Sequence, residues 1–595
     1  MFRLAEKTLS VEEKGRISPD GADAVYENHA GTWNSCIKIA IGILAVLSFF
    51  LLSGCQKNEG KPETKVKAVT QNGIVFSHES GLYADSSLKV HMKAPAGYTI
   101  AFTTNGTRPS AADASGKAEV EVILTREMTG YLLNHKKWML YPEFTYSTLH
   151  EDQSLPYGVV LNTALVDEKG AVGDKVQTNV YYLREDYARR FAGCLMVSVT
   201  TDAKNLLDYN TGILASGAVY DAWKKTDEAK KVIEKQEWWN VETNSTQRGQ
   251  KWERPCQIQF YQPKNASPDL EMEAGIRIRG GMSRRQNQKS FTLYFRKPYG
   301  TELLRYKLFD NKAGEYETFA LRDGGNDAEF LKYKDIFLQD LGRGGKFTVL
   351  DSRPAVLFLN GEYWGVYLLN EILSGKTLHT RFSVDEKNVV AIKESEVQVG
   401  AAEDIKYYKE LQSFGEKDLT DPEIYKQFCD VMDVQSMADY FALQIYIGNG
   451  DVSPVHNHVL WRTKDTSYNG GRWQFILHDL DYSAGHYEEP ITAATTDHFA
   501  LARKNFPVFN AAVKNKEFYD LFLKALKKAG SENYSYDRVR KKIDSYNKVW
   551  EPLMPDFYKR FGDTSELRKR CLNAMLTFFQ RRYQIIVPIV EKEKP

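Results

Sequence analysis

The sequence predicts a multidomain chain, with an N-terminal all-β sandwich followed by a larger α+β domain whose first half is strand-rich and whose second half is helical. Two observations carry this. Between Val69 and Leu183 apolar and polar residues alternate in short runs broken by Asn-Gly, Pro and Lys-Gly turns, the pattern of half-buried strands. From about residue 192 onward strands and hairpins come first, and 3.6-residue periodicity takes over toward the C-terminus. The composition allows both parts: 595 residues, 42% hydrophobic and 26% charged, with a formal net charge of +1. That balance argues against a disordered chain and against a general polyanion partner, so no nucleic-acid binding is expected.

The chain starts with residues 1–55, read as a signal segment behind a long polar extension. Its run "IKIAIGILAVLSFFLLSGCQ", Ile37 to Gln56, is short for a spanning helix and ends in small residues before a Cys. The ending Leu52-Ser53-Gly54-Cys55 resembles the bacterial lipobox, which implies lipidation at Cys55 and a lipid-anchored place in the bacterial cell envelope, at the outer membrane or cell surface. The 36 polar residues before the run are consistent with a start assigned too far upstream. Residues 56–68 are polar with Pro and Gly and read as a tether. Cys194, Cys256, Cys429 and Cys571 are scattered with no CxxC pair, so neither a structural zinc site nor a disulfide framework is expected.

Residues 69–185 form the expected sandwich, with strands in "LKVHMKA", "YTIAFTTNGTRPS", "AEVEVILTRE", "GVVLNTALVDEKG" and "KVQTNVYYL". The second and the last two of these resemble the small module at the C-terminus of chitobiase-type enzymes, which implies a spacer or a contact to glycan. In residues 192–595, "LMVSVTT", "CQIQFYQ", "AGIRIRGG" and "KSFTLYFRK" read as strands and "AEFLKYKDIFLQDLG" as a helix. "PAVLFLNGEYWGVYLLNE" reads as a hairpin turned by Asn360-Gly361. "PEIYKQFCDVMDVQSMADYFALQIYIGNG", "EFYDLFLKALKKAG" and "RKRCLNAMLTFFQRRYQIIVPIV" read as helices. No repeat of 20 to 50 residues is visible, which disfavours a solenoid or propeller.

Five segments occur in an order that identifies a family. "GIRIRGGMSRRQNQKSFTLYFRKPYG", "LRDGGND", "LFLNGEYWGVYLLNE", "NGDVSPVHN" and "WQFILHDLDYSAG" together resemble the spore-coat protein H family, CotH. The resemblance implies an atypical protein-kinase-like domain of two lobes that uses ATP with Mg²⁺ or Mn²⁺ to phosphorylate a protein serine or threonine. The protein substrate stays unidentified. Phosphoryl transfer needs cations on the phosphates, a carboxylate beside the attacking hydroxyl and oxygen ligands for a metal.

Lys289 shares parity with Phe291, Leu293 and Phe295, so a regular strand turns its ammonium to the apolar side, where a phosphate would serve as partner; the alternative is a stem that snorkels to solvent. Arg277, Arg279, Arg284 and Arg285 add charge around the Gly280-Gly281 turn, or simply form a solvated surface. Asp479 and Asp481 end the strand "RWQFILHDLD" on one parity. The resemblance implies that Asp479 holds metal, with Asp481 as a second ligand, against the alternative that both cap the following turn. Asp451 falls where the resemblance implies a catalytic base and Asn457 where it implies a metal ligand, although six positions separate them rather than the usual five. His456 and His458 read as loop histidines. Glu371, at the end of the hairpin, pairs with Lys289 or lies at the hinge near the adenine; Asp335 is a competing partner for the Lys. Arg322, Asp323 and Asp327 read first as turn-makers.

Two rival functions remain open at this level. A lipoprotein outside the inner membrane meets little ATP, so a non-catalytic surface protein that engages glycan or protein is the alternative reading. A glycan hydrolase would need two carboxylates flanking a bond, and nothing before residue 192 offers a convincing pair.

Overall fold

A computed structural model describes residues 68–595 except 147, 185, 192, 263–264 and 311–313. The run ending at Cys55, and with it the expected lipid attachment, lies outside the described residues. Among the described residues no helix is long and apolar enough to cross a membrane.

Eight strands make the sandwich: β1 (Val69–Gln71), β2 (Ile74–Phe76), β3 (Gly81–Tyr83), β4 (Leu88–Lys93), β5 (Thr99–Thr103), β6 (Glu119–Leu124), β7 (Gly158–Val166) and β8 (Gln177–Leu183). They form two four-stranded sheets, ordered β1-β2-β4-β6 and β3-β8-β7-β5. The alternation seen in the sequence is realised in β4, which buries Leu88, Val90 and Met92 and exposes the residues between them. Phe76, Val90 and Met92 from one sheet meet Ile100, Val159, Leu161 and Tyr181 from the other in a shared core.

The next strands are β9 (Leu195–Thr200), β10 (Arg254–Tyr261), β11 (Leu270–Arg279), β12 (Ser290–Tyr294), β13 (Leu304–Arg305), β14 (Glu315–Tyr316), β15 (Thr318–Arg322), β16 (Ser352–Leu359) and β17 (Glu362–Glu371). Apart from the short β13-β14 pair they close into a barrel ordered β10-β11-β12-β15-β17-β16-β9. Its interior is filled by Ile276, Ile278, Phe291, Leu293, Phe319, Leu321 and Leu357, among others. Strand parity then sends Arg277, Arg279, Ala320 and Arg322 to the outer face. Asn360 and Gly361, with φ of 47° and 77°, make the tight turn of the β16-β17 hairpin.

The helix expected over 328–342 forms only at Lys334–Gly342. The Asp327 carboxylate takes the backbone N–H groups of Leu331 and Lys334, and Lys332 adopts φ of 66°, so the chain turns once before the helix starts. The long helical stretch expected through 422–450 likewise splits into Pro422–Val431 and Val434–Ile447. Asp433 accepts from Ser436 N–H at 3.1 Å and caps the second piece. A small sheet ordered β19-β18-β20-β21 sits in this half, from β18 (Val389–Lys393), β19 (Glu396–Val399), β20 (Val459–Thr463) and β21 (Gln474–Ile476). The chain closes on the helix Ser565–Lys592.

The described residues belong to one compact unit, and the chain before residue 185 packs against the chain after 192. The connection from β6 to β7 leaves the sandwich and lends Leu132, Leu133, Met139 and Leu149 to the barrel core. Glu362 Oε1 and Oε2 accept from the N–H groups of Leu132 (2.6 Å) and Leu133 (3.3 Å). Arg190 grips Asp556 with two parallel bonds of 2.6 and 2.7 Å, tying the end of the sandwich region to the C-terminal helices.

Candidate functional site

The strand-end Arg322 organises the site. It closes β15 on the outer face of the barrel, and its guanidinium reaches three carboxylates at once. Nη1 binds Asp335 on the helix Lys334–Gly342, while Nη2 binds Asp479 and, at 2.6 Å, Asp481. Asp335 also accepts from Leu480 N–H (2.9 Å) and Gln339 Nε2 (2.8 Å) through Oδ1. One cation thus joins the barrel to the segment that follows β21. Gly325, at φ of 64°, lets the chain pass this cluster; a Cβ there would run into the Arg322 guanidinium and the Asp481 carboxylate.

The two strand-end carboxylates differ. Asp481 has a side chain 1% exposed, and Asn326 N–H (3.2 Å) and Nδ2 (3.1 Å) occupy its oxygens beside Arg322. Burial, with the neighbouring Asp479 charge, pushes its pKa well above the usual carboxylate range. The Asp479 side chain is 28% exposed. Against the cost of burial, the Arg322 guanidinium holds its pKa below the usual range. Asp481 therefore holds Arg322 in place, and Asp479 is the carboxylate a ligand can reach. Asp479 sits at φ of 57°, the left-handed region that non-glycine residues seldom occupy.

Asp451 faces this pair from the loop after the helix Val434–Ile447. Its N–H donates to Asn449 Oδ1 (2.9 Å), which fixes the loop entry. Asn457 Nδ2 donates to Asp451 O (3.1 Å) and Oδ2 (3.2 Å). The extra residue between Asp451 and Asn457 is absorbed by a tight turn in which Ser453 and His456 exchange backbone bonds of 2.9 Å. His456 Nε2 lies 3.2 Å from Asp451 Oδ1. Burial raises the Asp451 pKa in spite of His456, and the Asp479 charge adds to the rise. His458 is the last loop residue before β20, but it is buried among Phe475 and Phe506, and burial depresses its pKa to about 3.

Two more cations border Asp479. Lys393 ends β18 and pairs with Glu394 at 3.6 Å; burial lowers its pKa, with Arg279 as a like charge nearby. Arg279 ends β11 with its side chain half-buried and, among the described residues, without a hydrogen bond or ion pair. Burial and then Arg322 lower its pKa. His478, next to Asp479, is held neutral by burial and by Lys393. Two under-neutralised cations beside a reachable carboxylate form a charge cluster suited to an anion that carries a metal.

Lys289 is placed elsewhere. Its ammonium is buried as strand parity implied, but it donates to Tyr141 Oη (3.1 Å), Arg284 O (3.1 Å) and Gln286 O (3.0 Å). Neither expected carboxylate partner reaches it. Glu371 binds Arg381 and accepts from Asp351 N–H at 3.1 Å, and Asp335 binds Arg322. Glu371 is the last residue of β17. Asp323 and Asp327 are turn-makers as expected: Gly325 N–H donates to Asp323 Oδ1 (2.9 Å), and Asp327 starts the helix described above. The sequence carried one signal for Arg322 that went unused, since "FALR" ends a strand just before a helix bearing an acidic residue.

The donors gathered by Asp479, Asp451 and Asn457 are oxygens, a set that fits a hard divalent cation such as Mg²⁺ or Mn²⁺. Asp327, His486 and Cys571 also bring ligand-type atoms within 4.8 Å of one another. There Lys334 Nζ donates to His486 Nδ1 (2.9 Å) and Ser483 O (3.3 Å), and His486 Nε2 faces Asn326 O (3.1 Å). Both ring nitrogens are spent, so this cluster houses an ammonium and is structural.

The family described as CotH kinase protein matches residues 276–586, just over half of the chain. No curated protein matches it.

Proposed function

The chain belongs to the CotH kinase protein family, and from that premise we propose that it transfers the γ-phosphoryl group of ATP to a serine or threonine hydroxyl of a protein. The observation that carries the reading is the Arg322 cluster. In protein kinases a Lys on the third strand pairs with an acidic residue on the next helix and steadies the phosphates, and that Lys ends a V-A-I-K stretch. In this chain "FALR" ends β15, the helix Lys334–Gly342 follows, and Arg322 pairs with Asp335. The order β11, Gly280-Gly281 turn, β12, β15, helix, β16, β17 supports the same assignment of parts.

In this reading Arg279 and Lys393 bind the phosphate oxygens, and Asp479 with Asn457 holds the divalent ion. The ion, when bound, neutralises charge on the phosphates. Asp451 accepts the proton of the acceptor hydroxyl as its oxygen bonds to the γ-phosphorus. The bond from that phosphorus to the bridging oxygen breaks, and ADP leaves with the electron pair. The raised pKa of Asp451 suits a group that takes a proton and later releases it. Asp451→Asn should lower transfer of labelled γ-phosphate at least 100-fold while ATP–Mg²⁺ still binds; full transfer by that variant would remove Asp451 from this role.

We further propose that Cys55 is lipidated and anchors the protein in the envelope, supported by the Leu52-Ser53-Gly54-Cys55 pattern. Cys55→Ser should leave an unprocessed chain without lipid label; normal processing of that variant would refute the anchor.

A further inference from the structure

A patch of arginines beside the proposed phosphotransfer site has no acidic partner among the described residues. Arg277 and Arg279 leave the same outer face of β11. Arg284 follows in the short turn of helix Met282–Arg285. It is buried, and it donates only to backbone carbonyls: Gly280 O (2.7 Å), Ser245 O (3.3 Å) and Gln247 O (2.9 Å). The last bond brings the adjoining residue, the exposed Arg248, to the same place. Among the described residues no carboxylate lies within ion-pairing distance of Arg248, Arg277 or Arg284. Neighbouring arginines are served differently, Arg285 by Glu242 at 2.5 Å and Arg296 by Glu253 at 3.3 Å. Arg277 spends one N–H on Tyr294 Oη and lies over that ring at 4.7 Å, which leaves the rest of its fork open. Burial, then the like charges of Arg248 and Arg277, push the Arg284 guanidinium down to about 10.

Like charges packed together with no counter-charge cost free energy, and an anionic partner relieves it. The nucleotide does not need these residues, because Arg279 and Lys393 already border Asp479. Arg277 stands about 7 Å further down β11 from Arg279 by strand rise. Arg248 lies on a segment outside residues 276–586 that match the family. A whole-chain charge of +1 and so small a patch fit a short acidic peptide better than a nucleic acid, and guanidinium forks match carboxylates in pairs.

We propose that Arg248 and Arg277, backed by Arg284, dock an acidic segment of the acceptor protein, so that this chain phosphorylates hydroxyls near Asp or Glu runs. The proposal rests on the phosphotransfer reading for the word acceptor, and the test separates the two. Labelled peptides carrying one Ser among Glu, Gln or Lys residues are titrated onto the purified full chain by fluorescence anisotropy at low salt, beside ATP–Mg²⁺ by calorimetry. The Glu peptide should bind at least 10-fold tighter than the Gln peptide. Arg248→Glu with Arg277→Glu should reverse that preference in favour of the Lys peptide, with nucleotide affinity and melting temperature unchanged. Equal binding of the three peptides overturns the proposal, as does a charge reversal that weakens ATP while sparing the Glu peptide. Tighter binding of a single-stranded oligonucleotide than of the Glu peptide also overturns it. An intact Glu preference in a chain that binds no ATP–Mg²⁺ supports the docking surface and overturns the phosphotransfer reading alone.

Discussion

Arg322 shows how a single side chain sets the chemistry of a site. Three carboxylates around one guanidinium are tolerable only while that guanidinium stays, because removal strands buried negative charge. Arg322→Ala should therefore cost about 3–5 kcal/mol of stability, the range for breaking a buried pair, read from the urea midpoint; a loss below about 1 kcal/mol would mean that the cluster relaxes without it. Arg322→Lys should recover part of the loss, since an ammonium cannot fork to Asp335, Asp479 and Asp481 together. The role of Arg322 is hard to read from sequence because its partners lie 13, 157 and 159 positions away. Lys289 misleads for the same reason. Its parity is correctly read as inward, yet its acceptors are a tyrosine 148 positions upstream and two carbonyls of a turn, which no periodicity signals.

At the scale of elements, strands and the Asn360-Gly361 hairpin were legible because period-two burial and turn chemistry are local. Helix starts were less so, since the carboxylates of Asp327 and Asp433 compete for backbone N–H groups and cut helices that apolar spacing alone would extend. The link between the β6-β7 connection and β17 was invisible, and it makes a prediction. Burial pushes the Glu362 pKa up to about 7 from an ordinary value near 4.3. Between those values the unfolded chain is ionised while the folded chain keeps its proton, so stability is fully present below the lower value and falls as pH rises to about 7, by about 4 kcal/mol in all. Glu362→Gln should flatten this slope in denaturation curves taken from pH 4 to 8. An unchanged slope would show that Glu362 is ionised throughout.

For the whole molecule, sandwich and barrel work as one body although their sequence patterns read as two domains. The connection between β6 and β7 supplies four apolar side chains to the barrel core, worth about 8 kcal/mol at roughly 2 kcal/mol each. A chain starting at residue 186 should thus be insoluble or melt far below the full protein. A soluble truncation with the same melting temperature would show that the connection is an ornament. The position of the barrel also explains why the site is built late in the chain yet depends on its beginning. Arg279 and Arg322 stand on strands whose interior neighbours pack against residues from the β6-β7 connection.

The account turns on whether the site around Arg322 and Asp479 takes a metal-bearing nucleotide. Calorimetric titration of ATP into the folded full chain, with and without Mg²⁺, beside Asp479→Asn, tests that most directly. The account predicts binding that requires Mg²⁺ and weakens at least 10-fold in the variant. Folded wild-type protein that binds no ATP with Mg²⁺, or a variant that binds it equally well, would contradict the account.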